Sequence, residues 1–293
     1  MDIEPFIRYL KIERSFSAHT VTAYSGDLIQ FRDYASTTYG MTDVQSLTRD
    51  QIRSWIVELM DADINAASIA RKISSLNSYL RFRIRQGELK KNPAFGLTLP
   101  KKSKRLPKFV PESGMNGLLD GIAFADDYHG DRDKMIIELF YFTGMREAEL
   151  MGLKKSDIDV YNQQVKVTGK RNKERLIPVT QVFAEQLKGF IERSDQQEVQ
   201  DNEYLFVTDT GKKLYPKFVY NLVNRYLSQV AGVTQKSPHI LRHSFATHML
   251  NRGADINAIK TILGHTSLAA TQVYTHNTIE KLKDIHKQAH PRG

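Results

Sequence analysis

A short basic segment with two prolines, LTLPKKSKRLPK at residues 97–108, constrains the fold more than any other part of the sequence. Pro100 and Pro107 lack a backbone donor and disfavour helical dihedrals in the residue before them, so no regular helix is expected to run through the segment. Its five basic side chains, with no acidic ones, favour an extended chain. A chain of 293 residues is long enough for two ordinary domains. The sequence therefore predicts two domains joined by a linker, with boundaries at 1–97, 98–108 and 109–293.

Residues 1–97 repeat apolar side chains at the three- and four-residue spacing of amphipathic helices. The four predicted helices begin near Ile3, Val21, Ile52 and Ile69. The fourth is rich in arginine and has no acidic residue between Ile64 and Gly87, which favours contact with DNA over a merely solvated face. A basic linker can also follow a phosphate backbone. The predicted DNA contacts are Arg71, Lys72, Arg81 and Arg83 in the helix, and Lys101, Lys102, Lys104 and Arg105 in the linker.

Composition narrows the functional class. The chain is 41% hydrophobic and 26% charged, as globular proteins are, and its formal charge of +9 suggests a polyanionic partner such as nucleic acid. Because there is no cysteine, disulfides, thiolate nucleophiles and cysteine-based zinc sites are excluded. No apolar run approaches the length of a membrane span, and the N-terminal residues do not resemble a signal peptide. We therefore expect a cytoplasmic protein that does not bind membranes.

After the linker the pattern is mixed but mostly helical. An apolar helix at 135–142 is expected to end at Gly144, and residues 164–180 alternate around a turn as a β-hairpin with a basic tip does. The stretch NEYLFVTDTGKKL, residues 202–214, indicates a further strand and turn. Ser237 and Pro238 mark the start of another helix. The predicted fold class is mainly α with a small β component, an N-terminal helical bundle followed by a mixed α+β domain.

Two predicted helix starts carry arginines suited to binding anions. His239 and Arg242 are three residues apart in the helix that Ser237 begins, so they share a face near its N-terminus. Free N–H groups and the helix dipole favour anions there, and a guanidinium adds a fork that fits two phosphate oxygens. Arg146 opens the helix after Gly144, with Glu149 one turn further on to orient it. For each motif alone, a surface arginine or a plain salt bridge is the simpler interpretation.

Three further residues are candidates for proton transfer and nucleophilic attack. Lys170 lies at the hairpin tip, and its ordinary pKa of about 10.4 would have to fall for it to act as an acid near neutrality. The stretch LGHTSLAATQVYTH places His265 after a glycine and Tyr274 nine residues later, in a setting poor in apolar neighbours. A phenol is a weak nucleophile unless it is activated, and nearby arginines favour the phenolate. An exposed turn and a packing tyrosine are the simpler alternatives.

Zinc is not expected. His239 and His243 have the spacing of a zinc-binding pair, but the sequence HILRH lacks the glutamate of HExxH, and no further ligand follows at a suitable distance. We predict neither a metal nor a cofactor.

Together these residues could act on one phosphodiester. Arg146 and Arg242 would neutralise the charge that gathers on the nonbridging oxygens, Lys170 would protonate the leaving 5′-oxygen, and Tyr274 would form a 3′-phosphotyrosyl link. That link keeps the energy of the broken bond, so rejoining needs no ATP. In agreement, the sequence has no GxxxxGK[ST] loop.

These motifs resemble the tyrosine recombinase, or lambda-integrase, family, and most of all its bacterial Xer type. The resemblance rests on HILRHSFATHMLNRGADINAIKTILGHTSLAATQVYTH, is supported by GKRNKERLIPV, and is weaker over residues 1–100. The pattern R…K…HxxR…H/W…Y of the family falls on Arg146, Lys170, His239, Arg242, His265 and Tyr274. Glu149 matches the acidic residue that usually follows the first arginine.

The resemblance implies a SAM-like core-binding domain and a catalytic domain that clamp double-stranded DNA at a specific recombination site. It implies a tetramer on two DNA sites and a C-terminal helix (TIEKLKDIHKQAHPRG) that docks onto a neighbouring protomer. We further expect a paralogous recombinase as partner and a DNA translocase as activator. Because the first helix begins near Ile3, with no preceding arm-binding domain, Xer-like resolution of chromosome or plasmid dimers is favoured over the role of a large phage integrase.

Other functions stay open. They are a mobile-element integrase or excisionase, a type IB topoisomerase that relaxes DNA, a catalytically silent DNA-binding regulator, and a metal-dependent transposase using the carboxylates of DDYHGDRD at 126–133.

Overall fold

The computed structural model describes residues 1–100, 109–169, 172–197, 203–264 and 276–292, with backbone only for 276–278. The chain forms two compact units, Met1–Arg105 and Leu106–Gly293. The division between them falls within the predicted linker, whose residues 101–108 lie outside the described ranges.

Unit 1 is a helical bundle. Its helices are α1 (Glu4–Ile12), α2 (Ala18–Tyr39), α3 (Arg49–Asp61) and α4 (Ala66–Arg85), with a short 3-10 turn at Val44–Ser46. Local sequence sets the starts of three of them, because the side chains of Ser17, Thr48 and Asn65 each accept a hydrogen bond from a first-turn backbone N–H. Apolar stripes of the four helices meet in one core, in which Phe31 and Trp55 pack edge to face at 4.9 Å.

A buried carboxylate joins α2 to α4. Asp27 is 3% exposed and accepts hydrogen bonds from Arg71, from Lys72 at 3.3 Å and from the Ser75 hydroxyl at 3.0 Å. Burying a charged carboxylate costs free energy unless it is paired with cations and hydrogen-bonded, as Asp27 is. Two of the predicted DNA-binding residues therefore also hold the bundle together.

Unit 2 contains eight helices and three strands among its described residues. They are α5 (Glu112–Asn116), a π turn (Gly117–Gly121), α6 (Tyr128–Thr143), α7 (Glu147–Met151), a 3-10 turn (Lys155–Asp157), β1 (Ile158–Asp159), β2 (Gln164–Thr168), β3 (Glu174–Pro178), α8 (Gln181–Asp195), α9 (Pro216–Leu227), α10 (Pro238–Asn251), α11 (Ile256–Leu263) and α12 (His276–Ala289). The strands form one antiparallel sheet in the order β1-β2-β3.

Helix α6 lies at the centre of unit 2 and is buried from Met135 to Thr143. It ends at Gly144, whose φ of +59° belongs to the left-handed region that favours glycine. A Cβ at this position would lie 2.5 Å from the Phe245 ring and 2.7 Å from Leu263, so the turn has no room for a side chain. This tight turn delivers the chain from α6 directly to Arg146.

Helix α12 packs on its own unit against α10, α11 and β3. Leu282, His286, Ala289 and His290 are buried in this contact. His286 donates from Nε2 to the carbonyl of Phe142 at 2.7 Å, and His290 does the same to Tyr141 at 3.1 Å. The two histidines therefore cap carbonyls in the last turn of α6, which have no partner within that helix. Docking of this helix onto a neighbouring protomer stays a prediction.

The predicted fold class is confirmed: the chain is mainly helical, with one small sheet. The hairpin predicted at 164–180 is present as β2 and β3, and the helix predicted to begin at Ser237 is α10. The turn predicted within 202–214 is present, closed by the Thr208 N–H, which donates to the Lys212 carbonyl at 2.7 Å. The strand predicted there was wrong over its described part, where only the isolated bridges of Tyr204 with Lys154 and of Val207 with Lys213 form. Within the described ranges, no helix is both long and apolar enough to cross a membrane.

Candidate active site

Arg146 occupies the N-cap position of α7, and Glu149 lies one turn into the same helix. One carboxylate oxygen of Glu149 accepts from the Arg146 backbone N–H at 2.7 Å, and the other accepts from Arg146 Nη1 at 2.8 Å. The Arg146 side chain is 41% exposed, whereas that of Glu149 is 2% exposed. A buried carboxylate thus orients a guanidinium that solvent can still reach, as the sequence suggested.

Arg242 reaches the same place from the first turns of α10. It donates to the carbonyl of Gly144, and from Nη2 to that of Leu263 at 2.7 Å. Burial, together with the positive charges of Arg146 and Arg175, lowers the pKa of Arg242 to about 10. The group stays cationic at neutral pH, but it lies in a positive field that a bound anion would relieve.

A third arginine, Arg175 on β3, was missed by the sequence analysis. Its Nη1 and Nη2 donate to the two oxygens of Glu149 at 2.7 and 2.9 Å. Burial acts to raise the pKa of Glu149, but the hydrogen bonds and charge of Arg175, together with the bonds from Arg146, outweigh burial and lower it. Glu149 is therefore held as a carboxylate between two guanidinium groups.

The three arginines meet at the C-terminal end of α11. Successive carbonyls there accept from a different arginine each: Ile262 from Arg175 at 2.7 Å, Leu263 from Arg242 at 2.7 Å and Gly264 from Arg146 at 3.0 Å. The last carbonyls of a helix lack intrahelical partners and carry the negative end of its dipole, so cations stabilise them. The chain that leads into residue 265 consequently starts beside Arg146 and Arg242.

His239 is exposed at the start of α10. It lies near Glu147 of α7, where burial raises the pKa of the Glu147 carboxyl and the charge of His239 partly offsets that effect. Helices α7 and α10 therefore bring together Arg146, Arg242 and His239, three of the six predicted catalytic side chains, with Glu149 supporting them.

The other three predicted catalytic residues, Lys170, His265 and Tyr274, lie outside the described residues. The hairpin strand that precedes residue 170 does lie at the site. A Cβ placed on Gly169 would be 3.2 Å from Glu149 Oε1, and the Gly169 N–H donates to the Lys173 carbonyl at 2.8 Å to close the hairpin. In the described part of the chain, no group of three or more metal-binding side chains is close enough to hold an ion.

The predicted DNA-contacting residues of unit 1 differ in their surroundings. Arg81 is exposed on α4, and the Arg71 side chain is 44% exposed although it also pairs with Asp27. Lys72 is only 12% exposed and binds Asp27. The linker residues Lys101, Lys102, Lys104 and Arg105 lie outside the described ranges.

Arg83 does not fit the prediction that it contacts DNA. It is 7% exposed, and its guanidinium donates to Glu88 at 2.7 Å, to the Tyr79 hydroxyl at 2.8 Å and to the Asp2 carbonyl at 2.5 Å. It faces the inside of the bundle and serves its packing.

Beside Arg81, two arginines that the sequence analysis did not select line an open groove of about 420 Å³. Arg14 comes from the end of α1 and Arg85 from the end of α4. The Arg85 guanidinium lies 5.6 Å from the centre of the Tyr9 ring, which holds it in place.

Two family models match the chain, one within each unit. The model of the Phage integrase family matches residues 115–281, and that of the phage integrase N-terminal SAM-like domain matches residues 3–87. Two solved structures share the fold. A Tn1549 transposon integrase in complex with transposon right end DNA gives a TM-score of 0.75 at 16% identity, covering 94% of this chain and 96% of that one. The XerH site-specific recombinase bound to palindromic difH substrate gives 0.72 at 22% identity, covering 94% of this chain and 79% of that one.

Curated relatives are more similar in sequence. The tyrosine recombinase XerC of Staphylococcus carnosus is 37% identical over 290 residues, which cover 99% of this chain and 97% of that protein. The tyrosine recombinase XerC of Chlorobaculum parvum is 35% identical over 315 residues, covering 99% and 94%. The chain therefore belongs to the phage integrase family, as a tyrosine site-specific recombinase of the Xer type.

Proposed function

We propose that the chain cuts and rejoins double-stranded DNA at a specific site through a 3′-phosphotyrosyl intermediate, with Tyr274 as the nucleophile. The observation that carries this proposal is the shared anchoring of Arg242 and Arg146 on the consecutive carbonyls of Leu263 and Gly264 at the end of α11. An arginine has five N–H donors, and the hydrogen bonds of the described residues use two on each of these guanidinium groups. Both keep donors for the nonbridging oxygens of one phosphate.

The chemistry follows from these charges. Tyr274 gives its proton to water and bonds to phosphorus, the bond to the 5′-oxygen breaks, and Lys170 supplies a proton to that oxygen. Arg146 and Arg242 stabilise the negative charge on the nonbridging oxygens, and His239 and His265 add donors to the same phosphate. Attack of a 5′-hydroxyl on the phosphotyrosine reverses each step, so the ends rejoin without a cofactor.

The DNA has first to be identified. Recovering DNA bound covalently to the protein in cells and mapping the crossover gives the site sequence. A duplex of that sequence with a nick beside the cleavage point loses a short fragment on cleavage and traps the adduct. We expect a covalent adduct with the wild type, in the presence of a chelator, and none with Tyr274→Phe. An adduct that survives in Tyr274→Phe, or cleavage that requires a metal, would contradict the proposal.

The same duplex separates recombination from relaxation. Two differently labelled duplexes should yield strands joined across the pair if the protein recombines DNA. Relaxation of supercoiled plasmid with no joined product would instead indicate a type IB topoisomerase, and binding with no adduct would indicate a regulator.

We further propose a cytoplasmic role in resolving chromosome or plasmid dimers. Support comes from relatives named XerC that match over 94% and 97% of their length. A crossover site that maps to the chromosome or a plasmid, together with dimer accumulation after gene deletion, would agree with this role. A crossover at the ends of a mobile element would favour integration or excision instead.

The proposed assembly is a tetramer on two DNA sites, with a paralogous recombinase as partner and a DNA translocase as activator. Cross-linking of the protein on the mapped duplex should give tetramers, whereas complexes that stay at two protomers would contradict this. If purified protein alone completes strand exchange, neither a second recombinase nor a translocase is required.

In unit 1 we propose that DNA lies along the exposed face of α4. Arg71, Ser74, Ser78, Arg81 and Arg85 recur there at three- and four-residue spacing and form one stripe. Ser74, Ser78, Arg81 and Arg85 also line the groove described above, together with Arg14. Such a mixture of arginines and hydroxyls suits contacts with phosphates and base edges.

A further inference from the structure

Arg175 is charged yet lies on the buried face of the sheet. In the β2–β3 register Val167 pairs with Arg175 and Val165 pairs with Ile177, and the other three residues of this face are fully buried apolar side chains. Arg175 itself is 6% exposed. A guanidinium is expensive to bury unless its donors are satisfied, and this one makes three hydrogen bonds, to the two oxygens of Glu149 and to the Ile262 carbonyl. Because it is buried and faces inward, it is not placed to touch DNA.

Its contacts join the parts that position the site. On one side it fixes both oxygens of Glu149, which in turn hold the backbone and side chain of Arg146. On the other side it holds the end of α11, next to the carbonyls that orient Arg242 and Arg146. The space around it is limited, since a Cβ on Gly264 would lie 3.1 Å from Arg175 Cδ.

Arg175 also sets the net charge of the cluster and supplies Glu149 with its second cationic partner. Arg146, Arg242 and Arg175 carry three positive charges and Glu149 one negative charge, so the cluster has a net charge of +2. Without Arg175 the net charge would be +1, and Glu149 would keep only Arg146 as a cationic partner among the described side chains. A buried carboxylate that has lost one of its two cationic partners takes up a proton more readily, and once protonated it would no longer orient Arg146 as an ion pair.

We infer that Arg175 is a positioning residue for DNA cleavage, which holds Glu149 ionised and in place so that Arg146 and Arg242 meet the phosphate in register. This inference rests on the proposed function. We expect Arg175 to affect the rate of the chemical step, since misplacing a catalytic group by about 1 Å can lower the reaction rate about 100-fold. Binding of DNA, which the exposed arginines dominate, is expected to change little.

The test uses the nicked duplex built from the mapped crossover and measures three quantities: the single-turnover rate of adduct formation, the DNA dissociation constant and the dependence of the rate on pH. The variants are Arg175→Met, Glu149→Gln and the double variant. Arg193→Met is the matched control, because Arg193 of α8 forms an exposed ion pair with Asp131 of α6 and takes no part in the hydrogen bonds of the site. We expect the rate of Arg175→Met to fall about 100-fold, with the dissociation constant within about threefold of the wild type.

Two results distinguish positioning from a purely structural role. In Arg175→Met the acid limb of the pH–rate profile should move to higher pH, since burial then acts on Glu149 with less opposition. Glu149→Gln and the double variant should both lack that limb and should react at equal rates, because Arg175 acts through Glu149. Arg193→Met should match the wild type in every measurement.

The outcomes separate the two proposals. If the wild type forms no adduct with the mapped duplex, the proposed function fails. If the wild type reacts and folded Arg175→Met keeps its rate and acid limb, only the role of Arg175 is refuted. Should Arg175→Met fail to fold, Arg175→Lys keeps the charge but not the two-pronged contact, and we expect about a tenfold lower rate. Full activity in Arg175→Lys would overturn the inference.

Discussion

Acidification should lower the stability of unit 2 through His286 and His290, which hydrogen-bond to carbonyls at the end of α6. His286 is buried, and its Nε2–H donates to the Phe142 carbonyl. His290 is held as the neutral Nε2–H tautomer, because its Nε2 faces the Tyr141 carbonyl while its Nδ1 accepts from the Arg292 backbone N–H at 3.1 Å. The rings stack at 5.0 Å, so a proton on one disfavours a proton on the other.

The size of the effect follows from proton linkage. Burial lowers the pKa of His286 to about 4 from an ordinary value of 6.5, and burial lowers that of His290 as well. The unfolded chain then binds more protons than the folded one between these values, so stability is complete above pH 6.5 and is lost as pH falls toward 4. For His286 alone, the free energy of unfolding should decrease by about 2 kcal/mol between pH 7 and pH 5. His290 adds to this loss.

Other groups near the pair act on the same measurement. Burial also lowers the pKa of His248, whereas burial raises that of Glu138, which opposes the effect. Glu112 and Asp120 have pKa values lowered by Arg252 and Arg292, and they titrate below pH 4.5, outside the window. Comparing the wild type with a single histidine variant cancels these contributions.

The variant is His286→Gln, whose amide can still donate to the Phe142 carbonyl but cannot be protonated. Urea titrations are made at pH 7 and pH 5, and hydrogen exchange of peptides from 279–292 reports the unfolding of unit 2. The control is His19→Gln, because His19 is exposed on α2. Fluorescence of Trp55, the one tryptophan of the sequence, reports unit 1 in the same samples. We expect the loss of stability in unit 2 to be smaller by about 2 kcal/mol in His286→Gln. Equal losses in the two proteins would refute the argument.

Three further predictions concern single residues. Arg83→Met should lower the stability of unit 1 by about 2 kcal/mol in urea titrations, because Glu88 and the Asp2 carbonyl lose a buried donor. Arg81→Ala should leave that stability unchanged but lower DNA affinity, and reduce the slope of log K against log salt by about 1. Gly144→Ala should cost unit 2 about 3 kcal/mol, since the new methyl group would overlap the Phe245 ring at a backbone conformation that alanine disfavours. An unchanged urea midpoint would contradict the first and third predictions, and an unchanged salt slope the second.

The spacing of apolar residues was enough to predict the four helices of unit 1. The stripes that begin at Ile3, Val21, Ile52 and Ile69 became α1 to α4 because their apolar residues form one core. A pattern of apolar residues also led to the wrong prediction of a strand at 202–214. Its apolar residues Leu205, Phe206 and Val207 are all buried, and they pack as an irregular segment with no partner strand beyond isolated bridges.

Basic side chains were harder to interpret. Arg81 and Arg83 are two residues apart on α4, and composition alone assigns them the same role. Arg83 turns inward only because Glu88, Tyr79 and the Asp2 carbonyl surround it, and this grouping arises from the tertiary fold. Arg175 was the opposite case, since the alternation of β3 places it on the same face as Ile177 and could have identified it as buried.

The arrangement of the site could not have been derived from the sequence, because its anchors are backbone carbonyls. Arg146 binds a carbonyl 118 residues away, and Arg242 binds one 98 residues away. Every residue has a carbonyl, so no residue type marks the ones that end a helix without a partner. The pattern R…HxxR predicted which side chains would meet, and the end of α11 decides where they meet. The same rule applies at the end of α6, where Gly144 accepts from Arg242 while Tyr141 and Phe142 accept from His290 and His286. Because these acceptors lie within four residues of one another, the seating of α12 and the placement of Arg242 depend on a single helix terminus.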